Sequence, residues 1–508
     1  MKTLPSEFWT ARKALRSELE KRWERLAQLT LPYLYTPEGK TPDRDGAARD
    51  WQSLGATSVN HLSTRLMLTL FNPSKPFLRL DPTPDMIGEA AEAGWKLADV
   101  KAALVEAEMA AVKHMDVKAL RPKLFEALKH LIVMGNLLLY LDEKQEELRS
   151  ISVKHYVVQR SISGKVIRAV IREEVLYEEL ADEVKDDDEI AALRKKDGDK
   201  VAFYIDIRRD GDKFVVSEYV EDKHLPAFDK TFSEDACPYR VLTWNLPDEA
   251  DYGIGLVGEV EGDLEALSQL SQAMIEGAIL ASEYRWLVNP GGMTKPEDFE
   301  KSRNGSAIPG MDGDISLVQA ATEVAAAITT QEKIASGYIN RLGRTFLLGS
   351  AVTRDAERVT AEEIRLLAAE QEAGLGGAYS RLAVDLQKPL GLWLLKLVKV
   401  VVNEREVTPS VVTGLDALSR NGEVEALGRF LDKVMKVAAM PPEVLEWLNL
   451  DAIFTDLGNG EGVKAANYVK TSKQVEDARA QRRAAEVAQA TATAAGEAAA
   501  QNQGAPAQ

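Results

Sequence analysis

Two long stretches of helical period, from about Leu256 to Tyr284 and from about Thr322 to Phe346, bracket a short segment dense in turn residues. In the second stretch Ala325, Ile328, Ile334, Ile339 and Leu342 recur at helical spacing and mark an apolar face. The segment between, with Trp286-Leu-Val-Asn-Pro-Gly-Gly-Met293 and Asn304-Gly-Ser-Ala-Ile-Pro-Gly310, reads as a compact unit of short strands and turns. Two long apolar-faced helices joined through a small outer unit leave surface that one subunit cannot bury alone. The pattern therefore predicts a chain that completes itself by closing into a ring of identical copies.

A further helix is expected from Thr360, where Thr-Ala-Glu-Glu363 forms a capping box. Ile364, Leu367, Leu375, Tyr379, Leu382 and Leu386 follow on one face, over roughly 40 Å at about 1.5 Å per residue. The preceding Gly349–Arg358 has no sustained period, mixes small residues with Arg354 and Arg358, and reads as a mobile loop.

The rest of the chain alternates helix and strand, an α+β pattern that is mainly helical. Met1 to about Leu31 reads as one amphipathic helix with Phe8, Leu15, Leu19, Trp23 and Leu26 on one side. A loop at 33–50 leads to a helix over Trp51–Phe71, closed by Asn72-Pro-Ser-Lys-Pro76. Phe77-Leu-Arg-Leu80 begins a strand, helix returns over about Met86–Met134, and Leu137–Tyr140 is a buried strand. The period then becomes two: Ile167, Ala169 and Ile171 form one strand, and Val201–Ile207 turns at Asp210-Gly211 into Phe214-Val-Val216. Tyr239–Trp244 is another strand, and short helices are expected beyond Val402, with Val424, Leu427, Phe430, Leu431, Val434 and Met435 on one face.

Composition narrows the function classes. The 508 residues carry a net charge of −17, which argues against a protein whose main task is phosphate neutralisation. A single cysteine, Cys237, excludes an internal disulfide and a four-cysteine zinc site, and its reading is a small apolar filler. The N-terminus lacks a signal-peptide core, and the longest apolar run, Leu131–Leu141, is too short to span a bilayer, so a soluble, non-exported chain is expected.

The motifs that suggest chemistry are weak. Gly253-Ile-Gly-Leu-Val-Gly258 matches the dinucleotide fingerprint letter for letter, but an acidic Asp248-Glu-Ala-Asp251 precedes it and continuous helix follows. The favoured reading is flexible backbone where neighbouring subunits pack closely; a nucleotide-binding DNA-processing enzyme using 253–258 is the alternative. Gly39-Lys40-Thr41 ends like a phosphate loop, but Leu34 stands where the first glycine belongs. Asp186-Asp-Asp188 reads as a solvated face, and histidines 61, 114, 130, 155 and 224 have no metal-ligand spacing. No catalytic residue, metal ligand or cofactor is assigned, and Trp286 and Trp393 read as packing anchors.

Arg358-Val-Thr-Ala-Glu-Glu-Ile-Arg365, followed by Leu375-Gly-Gly-Ala-Tyr379, closely resembles the portal (head-to-tail connector) proteins of T7-like short-tailed bacteriophages. Tyr252-Gly-Ile-Gly, Gly262-Asp-Leu, Leu287-Val-Asn-Pro-Gly-Gly292 and Ser350-Ala-Val352 follow in that family's order. The resemblance covers most of the chain, firmly from about Trp51 to Leu395. It implies a portal fold, with a wing over 1–254, stem helices over 255–285 and 322–347, and a clip over 286–321. A tunnel loop over 348–359, a long wing helix over 360–402, a crown over 403–473 and a flexible tail over 474–508 complete it. It also implies a ring of about twelve subunits around double-stranded DNA, read without regard to sequence. Gly349, Ser350, Val352, Arg354 and Arg358 would face that channel. Asn289, Pro290, Gly291 and Gly292 would meet the terminase large subunit and later the tail adaptor and nozzle proteins. Capsid, scaffold and internal core proteins are the other implied partners, no membrane is involved, and the chain would be made in the host cytoplasm and end in the virion.

Overall fold

The computed structural model describes residues 3–37, 50–71, 76–95, 97–185, 187–192, 200–282, 284–319, 321–348, 376–400 and 407–411, with helical positions at 428, 431–437 and 453. The chain divides into two units, Met1–Thr413 and Gly414–Gln508. In the second, residues 431–437 are helical, and Leu431 and Met435 are exposed.

The single N-terminal helix expected from the sequence is two: α1 (Pro5–Leu15) and α2 (Ser17–Leu29), broken at Arg16 with φ −102° and ψ 11°. Phe8, Trp23 and Leu26 are buried as the spacing predicts, but Leu15 and Leu19 are exposed. The cause is Arg16, a polar residue that is 2% exposed. Its guanidinium donates to the main-chain oxygens of Val153 at 3.0 Å and Tyr156 at 2.6 Å and to the Tyr252 hydroxyl at 3.2 Å, and it pairs with Glu20 at 2.8 Å. The rings of Trp9, Trp23 and Tyr252 surround it. A buried cation must be fully partnered, and that requirement overrides a continuous helical face.

Next come α3 (Leu54–Leu70), β1 (Leu78–Pro82), α4 (Pro84–Glu92), α5 (Leu97–Val117) and α6 (Leu120–Met134). The strands β2 (Asn136–Asp142), β3 (Glu147–Ser152), β4 (Tyr156–Arg160) and β5 (Val166–Leu176) follow. Two short helices, α7 (Asp182–Lys185) and α8 (Asp188–Ala191), lead to β6 (Lys200–Asp210), β7 (Lys213–Val220), β8 (Lys223–His224), β9 (Lys230–Ser233) and β10 (Tyr239–Thr243).

The strands form separate sheets: β10-β2-β3, and β4-β5-β6-β7-β8 with β9 also on β7. The central strand β2 has Leu137, Leu138 and Leu139 all buried, which explains its unbroken apolar run. Asp210-Gly211 does turn the chain between β6 and β7, with Gly211 at φ 60°. One face of the larger sheet packs against α1 through Phe8, Trp9, Val157, Val170, Ala202 and Tyr204. The charged insert between β5 and β6 is more than a solvated face: Tyr177, Leu180, Val184 and Ile190 bury a small core of their own with Val201, Val220 and Leu225. Within its aspartate run Asp187 caps α8, accepting from the Glu189 N–H at 3.0 Å.

The remaining elements are α9 (Leu256–Glu259), α10 (Glu261–Ser282), β11 (Tyr284–Val288), α11 (Pro296–Lys301), β12 (Ile315–Gln319) and α12 (Ala321–Thr345). After residues outside the described set come α13 (Gly376–Leu382), a π-helical turn over Ala383–Gln387, α14 (Lys388–Leu397) and β13 (Val407–Val411). The helix expected over Leu256–Tyr284 is therefore interrupted at Val260, with φ −116°. The long helix expected from Thr360 is described only from Gly376, where Leu382 and Leu386 are buried as predicted. It stops at Leu397, just before Lys399 at φ 60°. Residues 407–411, expected in a stretch of short helices, are instead a strand antiparallel to β1.

Replacing Arg16 with Met strands the carbonyls of Val153 and Tyr156 in a buried site. We expect Arg16→Met to lower the unfolding free energy by about 3 kcal/mol, read from denaturant melts. A loss below about 1 kcal/mol would show that water reaches the site.

Candidate functional site

The helix pair α10 and α12 and the small unit at its tip are the part of the fold that the sequence singles out, and their chemistry is polar and structural. At the base, Leu264 and Leu267 of α10 and Leu342 of α12 are buried, and Arg341 makes two hydrogen bonds to the Asp263 carboxylate at 2.9 and 3.1 Å. Further along, Ile275, Ile279 and Leu280 on α10 and Ile334 and Ile339 on α12 are exposed. Their helical spacing is that of a buried face, yet none of the described residues buries them.

At the tip, β11 and β12 pair antiparallel, with Trp286 opposite Leu317 and Val288 opposite Ile315. Trp286 is half exposed and meets Phe299 edge to face at 5.1 Å, while Trp393 is buried on α14. The expected contact residues Asn289, Pro290, Gly291 and Gly292 form one turn. The Asn289 side-chain oxygen accepts from the Gly291 N–H at 3.1 Å, and the Gly292 N–H donates to the Asn289 carbonyl at 3.0 Å.

The residue that organises this unit is Asp314, which sequence reasoning missed. A single oxygen of its carboxylate, Oδ2, accepts from the N–H groups of Met293 at 3.0 Å, Thr294 at 3.1 Å and Met311 at 3.0 Å, and from the Thr294 hydroxyl at 3.1 Å. Its own carbonyl accepts from the Asn289 N–H at 2.8 Å. The Met311 N–H, followed by the Thr294 and Met293 donors, holds the carboxyl below the usual carboxylate range against some desolvation. Gly292 and Gly310 are required here: a Cβ at Gly292 would lie 2.4 Å from Asp314 Oδ1, and one at Gly310 2.1 Å from Thr294 Oγ1. The available signal was Met311-Asp-Gly-Asp314, since aspartate beside glycine favours side-chain bonding to local backbone.

Gly349, Ser350, Val352, Arg354 and Arg358 lie outside the described residues. The chain leading to them is fixed: Phe346 and Leu347 are buried, and Leu347 ends α12 in the left-handed region at φ 57°. The Leu348 N–H reaches the Gly343 carbonyl at 2.8 Å and the Leu347 N–H the Arg344 carbonyl at 3.2 Å, a Schellman stop made without glycine.

The fingerprint Gly253–Gly258 is not a phosphate cradle; it packs against main chain of its own subunit. A Cβ at Gly253 would lie 2.8 Å from the Gly135 oxygen, and one at Gly255 2.5 Å from the Ile132 oxygen. Gly135, the left-handed cap of α6 at φ 73°, would meet the Gly255 nitrogen at 2.3 Å. The Asn136 amide bridges the same junction, exchanging two 2.7 Å hydrogen bonds with Gly253. The space that a pyrophosphate would need is filled by main chain. Among the described residues there is no group of three or more His, Cys, Asp or Glu that could hold a metal, and no helix long and apolar enough to cross a membrane.

The family model described as bacteriophage head to tail connecting protein matches residues 2–469. The portal protein of Escherichia phage T7 is 32% identical over 483 residues, covering 92% of this chain and 88% of its own length. That of Enterobacteria phage T3 is 32% identical over 471 residues, covering 90% of this chain and 86% of its own. Among solved structures, the neck of an empty GTA particle aligns at 14% identity and a TM-score of 0.36, covering 77% of this chain and 90% of that one.

Because the Asp314 carboxyl is depressed in the folded unit, its contribution is complete above its unfolded value near about pH 4 and is lost as pH falls through the lower folded value. Amide exchange at Met293, Thr294 and Met311 is thus expected to accelerate only in that acid range. In Asp314→Asn those amides should exchange faster at neutral pH, with no acid step left. Unchanged protection in the variant would remove Asp314 from this role.

Proposed function

The chain belongs to the bacteriophage head to tail connecting protein family, and from that membership we propose that it works as the portal of a short-tailed phage, a conduit at one capsid vertex. The observation that carries this reading is the match to the family over residues 2–469, to which a helix pair with apolar side chains left exposed among the described residues adds support. In the proposed assembly about twelve copies close a ring through the stem, residues 255–285 and 322–347. The clip, 286–321, lies at the outer end with Asn289–Gly292 at its edge, the wing occupies 1–254 and 360–402, and the crown occupies 403–473.

Double-stranded DNA passes inward during packaging and outward at ejection, the terminase supplying the energy and the clip serving first the terminase and then the tail adaptor and nozzle. Capsid, scaffold and internal core proteins contact the rest of the ring, which resides in the virion after synthesis in the host cytoplasm. The portal performs no bond chemistry in this scheme. Its requirement is a wall that lets DNA slide, and a net charge of −17 per subunit suits that better than a continuous basic lining. Arg354 and Arg358, repeated around the ring, supply a few sequence-independent phosphate contacts.

The assembly reading is tested by sedimentation and electron-microscope class averages of the purified protein, which are expected to show a closed ring. Ile275→Ser with Ile279→Ser should weaken ring formation while changing subunit stability by no more than about 0.5 kcal/mol, because those side chains are exposed in the lone subunit. Monomers and dimers alone at micromolar concentration in every salt tried would refute it. A separate outcome is expected for Arg354→Ala with Arg358→Ala: intact rings that package or retain less DNA. Parental packaging and retention in that variant would take the role away from these arginines.

A further inference from the structure

A cavity of about 750 Å³ opens between the larger sheet, β10 and the helical segment Gly377–Leu392, away from the tip of the helix pair. Its volume lies within the range of small-ligand sites. Its charge is the reverse of the chain's: six basic side chains, those of Arg160, Lys165, Arg209, Arg240, Arg381 and Lys388, line it against the three carboxylates of Glu234, Asp235 and Asp385.

One carboxylate is already engaged, since Arg209 pairs with Glu234 through both of its terminal nitrogens. Arg160 spends its donors on main-chain oxygens of Asp251 and Gly164. Among the described residues Arg240 donates to the Asp235 carbonyl and its Nε is buried without a hydrogen-bond partner, while the carboxylates of Asp235, Glu234 and Asp385 act on it through space. Arg381 donates to the Thr243 hydroxyl at 3.2 Å and lies near the Asp385 carboxylate, which Arg160 and Arg240 also face. Burial pushes the guanidinium pKa values of Arg160 and Arg240 down, so positive charge is held there at a cost. The cavity wall also includes buried Phe214, Ile207 and Leu242, and such a wall strengthens any charge pairing made beside it. Asp385 and Val384 sit on the π-helical turn, an irregularity that recurs at functional sites.

We propose that this cavity binds a multivalent phosphate-type oxyanion, with Arg240, Arg381 and Lys388 as its charged contacts. Four segments that are distant in sequence converge on it, and guanidinium forks match the paired oxygens of a phosphate. A trivalent anion equals the excess positive charge. The phosphate has two sources, a free oligophosphate or the backbone of DNA, and the same experiment separates them. It is independent of ring closure, so failure of one reading leaves the other standing.

Sodium tripolyphosphate is titrated calorimetrically into the full-length protein at constant ionic strength. Saturable binding of one anion per subunit is expected. Arg381→Gln with Lys388→Gln should weaken it by at least about tenfold. Lys396→Gln, on the same helix but paired with Glu143, should leave it unchanged. If the double variant does not fold, Lys165→Gln gives the same reading with a smaller loss, because that side chain is exposed at the cavity mouth. Displacement by a 20-base-pair duplex would identify DNA backbone as the source, and its absence would identify a free oligophosphate. No saturable binding, or equal affinity in the cavity variants, overturns the site.

Discussion

One buried guanidinium decides how the N-terminal third of this chain meets the rest. Arg16 joins the break between α1 and α2, the backbone at Val153–Tyr156 and Tyr252, the residue just ahead of the glycine junction. None of these segments could supply enough partners alone, because a cation removed from water requires nearly all its donors to be used. The aromatic rings of Trp9, Trp23 and Tyr252 add a low-dielectric wall that strengthens those bonds. The outcome is that helix, sheet and the approach to the hairpin are aligned by a single side chain.

The parts of the fold that were legible in the sequence are those whose signal is local. The hairpin helices, the β6–β7 turn at Gly211, the buried strand β2 and the turn at Asn289–Gly292 each follow from periodicity or from turn chemistry within a few residues. What was not legible depends on partners far along the chain. Arg16 looks like solvent-facing charge until its acceptors, more than a hundred positions away, are known. The strand at 407–411 exists because β1 offers an edge. Asp314 was hidden for a related reason: its donors come from both sides of a segment that sequence reading treats as loop.

The glycine fingerprint shows how one residue pattern can answer different physical demands. Gly253 and Gly255 fit the spacing of a nucleotide loop because both situations require backbone to come close to something bulky. In a nucleotide site the visitor is a phosphate; here it is the end of α6, with Gly135 presenting the matching bare surface. A Cβ at Gly258 would meet side chains instead, Ile254 at 3.1 Å and Leu26 at 3.6 Å. Letter-level identity is therefore decided by what stands opposite each glycine, and that is a tertiary fact.

The same junction has a mechanical meaning. The hairpin leaves the body of the protein through Gly253–Gly258, where main chain lies directly on main chain and hydrogen bonds from Asn136 close the gap. Side chains can yield by changing rotamer, whereas two backbones in contact have no such soft coordinate. A force applied along α10 would accordingly be delivered to α6 and β2 with little give, and the compliance of the molecule would lie elsewhere. The root of the helix pair is thus built like a clamped beam, in which thrust at the tip would be carried into α6 and β2 instead of being absorbed at the joint.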